Sequence, residues 1–417
     1  MSTVILGIQK KKLLVPKLRF QEFDNEWNEI LLEDFAKRGS GHTPNKSHPE
    51  YYNGDINWIS LADSKKLDNG YIESTNTKIT QLGLDNSSAV LHPPGTVLLS
   101  RDAGVGKSAI MKHAMAVSQH FLVWITKENF SCNWFLYNVL QILKPEFERI
   151  AIGNTIKTIG LPYFKKLKIT VPSFPEQQKI ASFLRAVDEK IQQLSRKKKL
   201  LEKYKKGVMQ QLFSGKLRFK DENGADYPDW EEKKLGDVAK FRRGSFPQPY
   251  GLPKWYDDEN GMPFIQVYDV DNNMLLKKTT KNKISELGSE QSVFVKKGTL
   301  VLTIQGSIGR IAKTQYDAYV DRTLLIFQSY KLPTDIDYFK YVVFLLFEIE
   351  KTKAPGGTIK TITKEVLTDF LVPVPCLKEQ QKIADFLISI DTKIESVKQQ
   401  IAQTQTFKKG LMQQMFI

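Results

Sequence analysis

Sixteen residues starting at Glu176, EQQKIASFLRAVDEKI, return at Glu379 as EQQKIADFLISIDTKI, identical at eleven positions and offset by 203. Any fold of this chain must house that helix twice. The repeat extends well beyond it. Trp27 answers Trp230, WNEILLEDFAK answers WEEKKLGDVAK, and KITQLG at 78 answers KISELG at 283. GTVLLSRDAGVGKSAI at 95 answers GTLVLTIQGSIGRIAK at 298, and GNTIKTI at 153 answers GGTIKTI at 356. Ordered anchors that keep returning to one offset, with small drifts where loops differ, mark an internal duplication. The register also wraps around. Lys17-Leu18-Arg19-Phe20 stands near the start, and Lys216-Leu217-Arg218-Phe219 follows the first helix. Chain start and chain end are therefore expected side by side, in a near-cyclic molecule of two halves related by a pseudo-two-fold axis.

Each half reads as a mixed α+β module followed by one long helix. Short β-rich runs (INWISL, TVLLS, FLVWIT, TLVLTI, TLLIFQ) are separated by Gly, Pro, Asn and Asp. Apolar helical patterns such as CNWFLYNVLQIL and DYFKYVVFLLFEIE lie among them. The expected division is an N-terminal arm over 1–26, a module over 27–174, a helix over 175–215, a second module over 216–376 and a second helix over 377–417. Ile180, Leu184, Val187, Ile191, Leu194, Leu201, Val208 and Leu212 follow alternating three- and four-residue steps, interrupted by Lys198 and Lys205. Ile383, Leu387, Ile390, Ile394, Val397, Ile401, Leu411 and Met415 repeat that seam. Such a pattern predicts a coiled coil, about 38 residues or roughly 57 Å long. The symmetry requires its two helices to be antiparallel.

The net charge of +15 fits a polyanionic partner, though it also fits simple solubility. The excess is concentrated: residues 176–220 hold ten Lys and three Arg against four acids, with RKKKLLEKYKK at 196–206 at its centre. A charge run of this kind is also what a solvated helix face looks like. Two cysteines, Cys132 and Cys376, make neither a disulfide framework nor a zinc set and suit a reducing cytoplasm. No apolar run of roughly 18 residues predicts a membrane span, and the first twenty residues do not read as a secretory signal.

Motifs for catalysis are not found. AGVGKS at 103–108 resembles a phosphate loop, but the first glycine that loop needs is Arg101, and the duplicate GSIGRI lacks the Lys and Ser. A tight turn between two strands is expected there, with Gly106 and Gly309 supplying the backbone conformation. All five histidines fall in the first half, so no inherited metal or Ser-His-Asp set is indicated. Three readings stay open on these grounds: a sequence-recognition protein, a nucleic-acid enzyme with an unrecognised site, and a coiled-coil scaffold.

Two modules, each followed by a helix opening on EQQKIA-x-FL, with LxxxDxKI and KKGxMQQ further along, resemble the specificity subunit of type I restriction–modification enzymes. The resemblance covers the chain from about Pro16. GHTPNKSHPEYYNGDINWISLAD (41–63) and RGSFPQPYGLPKWYDDENGMPFIQVYDV (243–270) look like two variants of its target-recognition domain. The resemblance implies a subunit without catalysis or a cofactor of its own. Each domain would read one half of an asymmetric, bipartite site in double-stranded DNA. The helices would set the gap and dock two methyltransferase subunits, which use S-adenosylmethionine to methylate adenine. Restriction subunits using ATP and Mg would join them.

Base readout needs side chains that reach base edges. After the first strand the candidates are Lys37, Arg38, Ser40, His42 and Thr43, answered by Arg242, Arg243, Ser245, Gln248 and Tyr250. Around the glycine turn they are Ser100, Arg101 and Lys107, answered by Thr303, Gln305 and Arg310. Asp63, Ser64 and Lys65 parallel Asp269, and the GNTIK and GGTIK turns add Thr155, Lys157, Thr358 and Lys360 as phosphate contacts. Trp58 occupies the place of Phe264 and is expected in the core.

Overall fold

A computed structural model describes residues 13–153, 157–353 and 362–417. They fall into two compact units: one runs to Lys197 and takes in Val397–Ile417, the other is Lys198–Ser396. The long helices are Phe174–Phe213 and Leu377–Met415. Each begins in one unit and ends in the other.

In the first unit a five-stranded sheet is ordered Ala36–Ser40, Phe121–Thr126, Val97–Ser100, Ser108–Met111, Tyr71–Ile72. A smaller sheet is ordered Thr77–Ile79, Tyr52–Ile59, Ala116–Val117. The second unit repeats this frame. Its main sheet runs Ala239–Arg243, Leu324–Tyr330, Leu300–Thr303, Ile311–Lys313. Its smaller sheet runs Asn282–Ile284, Met262–Ile265, Ala318–Val320, Val293–Val295. The two differ at sheet edges, where the first unit adds Tyr71–Ile72 and the second Val293–Val295.

The unbroken apolar runs follow from burial on both faces, because successive strand residues point opposite ways. Val97, Leu99, Leu122 and Trp124 face the core that holds helix Asn133–Ile150 and the long helices. Leu98, Phe121 and Val123 face a second core with Ile59 and Met111. Leu300, Leu302, Leu325 and Phe327 divide from Val301, Leu324 and Ile326 in the same way. Trp58 pairs with Ala116 as Phe264 pairs with Tyr319, and both rings are buried.

The repeated EQQK stretch ties each helix start to its surroundings. Glu176 is buried and accepts from Arg19 Nε at 2.8 Å, Arg19 Nη2 at 2.7 Å and Trp27 Nε1 at 3.3 Å. Glu379 accepts from Arg218 Nε at 3.2 Å, Arg218 Nη2 at 2.8 Å and Trp230 Nε1 at 2.8 Å. The next residue caps the module's own helix. Gln177 accepts from Cys132 N at 3.0 Å and donates to Phe130 O and Pro172 O. Gln380 accepts from Asp335 N at 2.8 Å, just before the second module's helix Ile336–Lys353, and donates to Pro333 O and Pro375 O.

Within each unit the helical segments run antiparallel. In the first unit Leu18 N donates to Gln414 O at 2.9 Å beside the Arg19–Glu176 pair, and farther along Lys408 meets Asp188 at 2.7 Å. The first described residues thus lie against the end of the chain. In the second unit Leu217 N donates to Gln211 O at 3.1 Å beside the Arg218–Glu379 pair, and Lys205 meets Asp391 at 2.6 Å. Lys205, which breaks the apolar seam in sequence, is thus an ion-pair position. Burial pulls its ammonium pKa down and Asp391 opposes that shift. Tyr341 adds a 2.6 Å hydrogen bond to the same aspartate.

Removing one member of a buried pair strands the other charge, at a cost of about 3–5 kcal/mol. Arg19→Ala should lower the stability of the first unit by about 3 kcal/mol in denaturant titrations, since the Trp27 bond to Glu176 survives. A loss under about 1 kcal/mol would show that Glu176 does not depend on its arginine.

Candidate functional site

One end of each main sheet gathers loops that are distant in sequence. Ser40 pairs with Leu122 and Ser100 with Phe121, so the end of strand Ala36–Ser40, the start of Phe121–Thr126 and the end of Val97–Ser100 meet there. Arg243 opposite Leu325 and Thr303 opposite Leu324 create the same end in the second unit.

The glycine turns are built as expected. Gly106 and Gly309 have φ of +84° and +83°, and their N–H groups donate to Ser100 O and Thr303 O, both at 2.9 Å. Each turn rests on the module's helix: an added Cβ would lie 2.9 Å from Lys144 Cγ or 2.6 Å from the Phe347 ring. The residue after each glycine reaches inward. Lys107 Nζ donates to Ser64 O and Oγ at 3.1 Å, and Arg310 Nη1 donates to Val270 O at 3.2 Å.

Several sequence candidates turn out to hold the loops from inside. Asp63 is fully buried and accepts from Ser60 N and Asn76 N, while Asp269 accepts from Gln266 N and Lys281 N. Burial pushes the Asp269 carboxyl up, against those N–H bonds. The Ser100 and Thr303 hydroxyls are buried and donate to Asp102 O and Ser307 O. Lys37 and Arg38 lie partway along their strand, and Arg38 is paired with Glu33 at 2.6 Å.

At the tip of the first module, Lys65 and His42 are exposed, and Thr43 donates to Gln119 at 2.6 Å. Arg101 is partly exposed, and Lys157 is exposed while its carbonyl accepts from Ala103 N. In the second module Arg242, Gln248, Tyr250 and Gln305 are exposed. Ser245 donates to Gln291 O at 2.8 Å, and Arg243 Nε to Arg322 O at 2.5 Å. Thr155, Thr358 and Lys360 lie outside the described residues.

The structure adds residues at the same tips that sequence reasoning passed over. Gln119 and His120 precede one strand as Arg322 and Thr323 precede its counterpart, at the shared offset of 203. Arg322 lies over the Tyr250 ring at 5.1 Å. Tyr268, Gln266 and Asn282 form a hydrogen-bonded cluster, with Lys281 5.0 Å above the tyrosine ring. The offset already pointed to the pre-strand residues. In the helical cluster 196–206, Lys205 and Lys198 are ion-paired, while Arg196, Lys197, Lys199, Lys203 and Lys206 are exposed. Among the described residues, no group of three or more His, Cys, Asp or Glu could hold a metal ion, and no helix is long and apolar enough to cross a membrane.

The family model described as type I restriction modification DNA specificity domain matches residues 24–203 and again 227–405. The type I restriction enzyme MjaIX specificity subunit of Methanocaldococcus jannaschii is 29% identical over 58% of this chain and 57% of its own length. The MjaVIII specificity subunit of the same organism is 25% identical over 93% of this chain and 91% of its own. The crystal structure of a type I restriction–modification S subunit from M. genitalium superposes with a TM-score of 0.60 at 16% identity, covering 97% of this chain and 99% of that one.

His92 sits beneath the first tip, buried, with Nε2 3.1 Å from Ser40 O and its ring against Gly39. Burial lowers its pKa, with the Ser40 carbonyl opposing. The folded state therefore favours the neutral ring, and the stability it contributes is present above the unfolded pKa of about 6.5 and lost as pH falls below it. The duplicate position is Val295, also buried. His92→Val should flatten the fall in stability between about pH 7 and pH 5 relative to the natural chain, measured by thermal melts. Parallel pH profiles for the two proteins would contradict this.

Proposed function

Because this chain belongs to the type I restriction modification DNA specificity family, we propose that it reads a bipartite, asymmetric DNA sequence, one half with each module, and performs no chemistry itself. The observation that carries this reading is the pair of tips. One backbone frame, built twice, brings different polar and cationic side chains to the same sheet end. Base edges in the major groove are distinguished by just such donors and acceptors, while exposed Lys and Arg meet phosphates. Arg101, His42, Thr43 and Lys65 face the first half-site. Arg243, Gln248, Tyr250, Gln305 and Arg322 face the second.

In this reading the long helices set the separation of the half-sites and dock two methyltransferase subunits. Those subunits bring S-adenosylmethionine and methylate adenine, restriction subunits bring ATP and Mg, and the assembly works in the cytoplasm. The exposed lysines at 197, 199, 203 and 206 serve that assembly or the DNA backbone.

Exchanging residues 27–174 for those of a relative should change one half of the methylated motif and leave the other intact, as mapped in DNA from cells expressing the variant with its methyltransferase. Simultaneous change of both halves would refute independent readout. Inserting seven residues at Leu201 and seven at Thr404 adds about 10 Å of helix and keeps the heptad phase. The gap should widen by about one to three base pairs, at ~3.4 Å each, with both half-sites unchanged. An active variant that keeps its original gap would remove the helices from this role.

A further inference from the structure

Three side chains at the first tip form an incomplete network. Asp102 Oδ2 accepts from His120 Nδ1 at 3.0 Å. Arg101 Nε lies 3.7 Å from that same oxygen, beyond hydrogen-bond distance. Asp102 Oδ1 and Arg101 Nε are buried, and among the described residues neither has a hydrogen-bond partner. A buried acceptor and a buried donor on adjacent residues, neither of them hydrogen-bonded, are unfavourable and require a reason.

Loose backbone is not the reason. Arg101 N donates to His120 O at 3.0 Å, Arg101 O accepts from Ile159 N at 3.1 Å, and Ser100 Oγ donates to Asp102 O at 2.7 Å. The second module keeps the frame, with Ile304 N donating to Thr323 O at 3.0 Å. It replaces the chemistry: Ile304, Gln305 and Thr323 stand where Arg101, Asp102 and His120 stand. Only the first module is built to aim a charged side chain from this point.

We propose that Asp102, held by His120, is a positioning residue for Arg101. On DNA, Arg101 turns so that Nε donates to the Asp102 carboxylate, closing the network. Its outer N–H groups then present a planar fork to one base edge with two acceptors, the pattern guanine offers through O6 and N7. The role rests on the DNA-reading function proposed above.

The test uses the full chain with its methyltransferase subunits and a pool of randomised duplexes, sequenced after selection. The natural complex should enrich a two-part motif, and Arg101→Ala should erase preference at one position of one half. Asp102→Asn keeps size and removes charge. It should weaken preference at that same position about tenfold, and leave the other half untouched. His120→Gln, which retains a donor, should weaken it less, and Asp102→Glu should restore part of it. An Asp102→Asn motif identical to the natural one overturns the positioning role, as does an even loss across both halves with a lowered melting temperature. If the natural complex enriches no two-part motif, the proposed function itself falls, and the positioning role with it.

Discussion

A carboxylate buried at the start of each long helix organises the rest. Glu176 and Glu379 are about as enclosed as any described residue, and an ionised carboxylate there is unfavourable unless its oxygens are paired. Each takes a two-pronged arginine and an indole N–H, from an arm that would otherwise be free to move. The pairing fixes that arm against the helix, and the adjacent glutamine fixes the helix against its module. Three segments therefore settle into one arrangement. The connectivity behind the two clasps differs. In the second unit the arm follows directly on the helix it bonds through Leu217 and Gln211. In the first, Leu18 bonds Gln414, near the opposite end of the chain. The same local chemistry closes the same structure from a turn in one case and from the two ends of the chain in the other.

An apolar seam alone leaves helix register weakly defined, because neighbouring turns offer similar greasy surfaces. A partly buried lysine changes that, since it favours the register that gives it a partner. Asp188 with Lys408 and Asp391 with Lys205 are the same pair made in each unit. Moving either helix by one turn would leave both a partly buried ammonium and its carboxylate unpaired. Tyr341 tightens the second pair by bonding Asp391, whereas on the matching helix of the first unit Tyr137 accepts from Gly70 N and supports the sheet. The halves have diverged in what backs the lock while retaining the lock.

Aligning the chain with itself makes much of this architecture legible. Strand positions, the glycine turns, the two helices and the equivalence of Trp58 with Phe264 all follow from the duplication. The fate of individual polar side chains does not. Lys107 and Arg310 are long enough to reach either outward or back to the chain, and nothing in their spacing shows that a carbonyl after a short helical turn lies within reach. Ser60 and Asp63 carry the S-x-x-D pattern of a capping box. That pattern is a signal that Asp63 faces inward, and its repeat as Gln266 and Asp269 hides the signal by changing the first residue. Lys205 reads as a break in the seam because its partner lies 186 residues away.

The bonds that shape each tip are made almost wholly by backbone and by buried side chains: the glycine turns, the capping boxes, the inward reach of Lys107 and Arg310. The side chains that differ between modules contribute little to that frame. Arg101 against Ile304, Gln119 against Arg322 and His120 against Thr323 all stand on equivalent backbone. A scaffold held from beneath can accept new residues at its tip without losing its fold, because the stabilising contacts are not the ones exchanged. Two copies of one frame can then diverge freely in what they recognise, while the helices and clasps that join them stay under common constraint. That division explains why the chain repeats most faithfully in EQQKIA and KKGxMQQ and least faithfully in the loops that face outward.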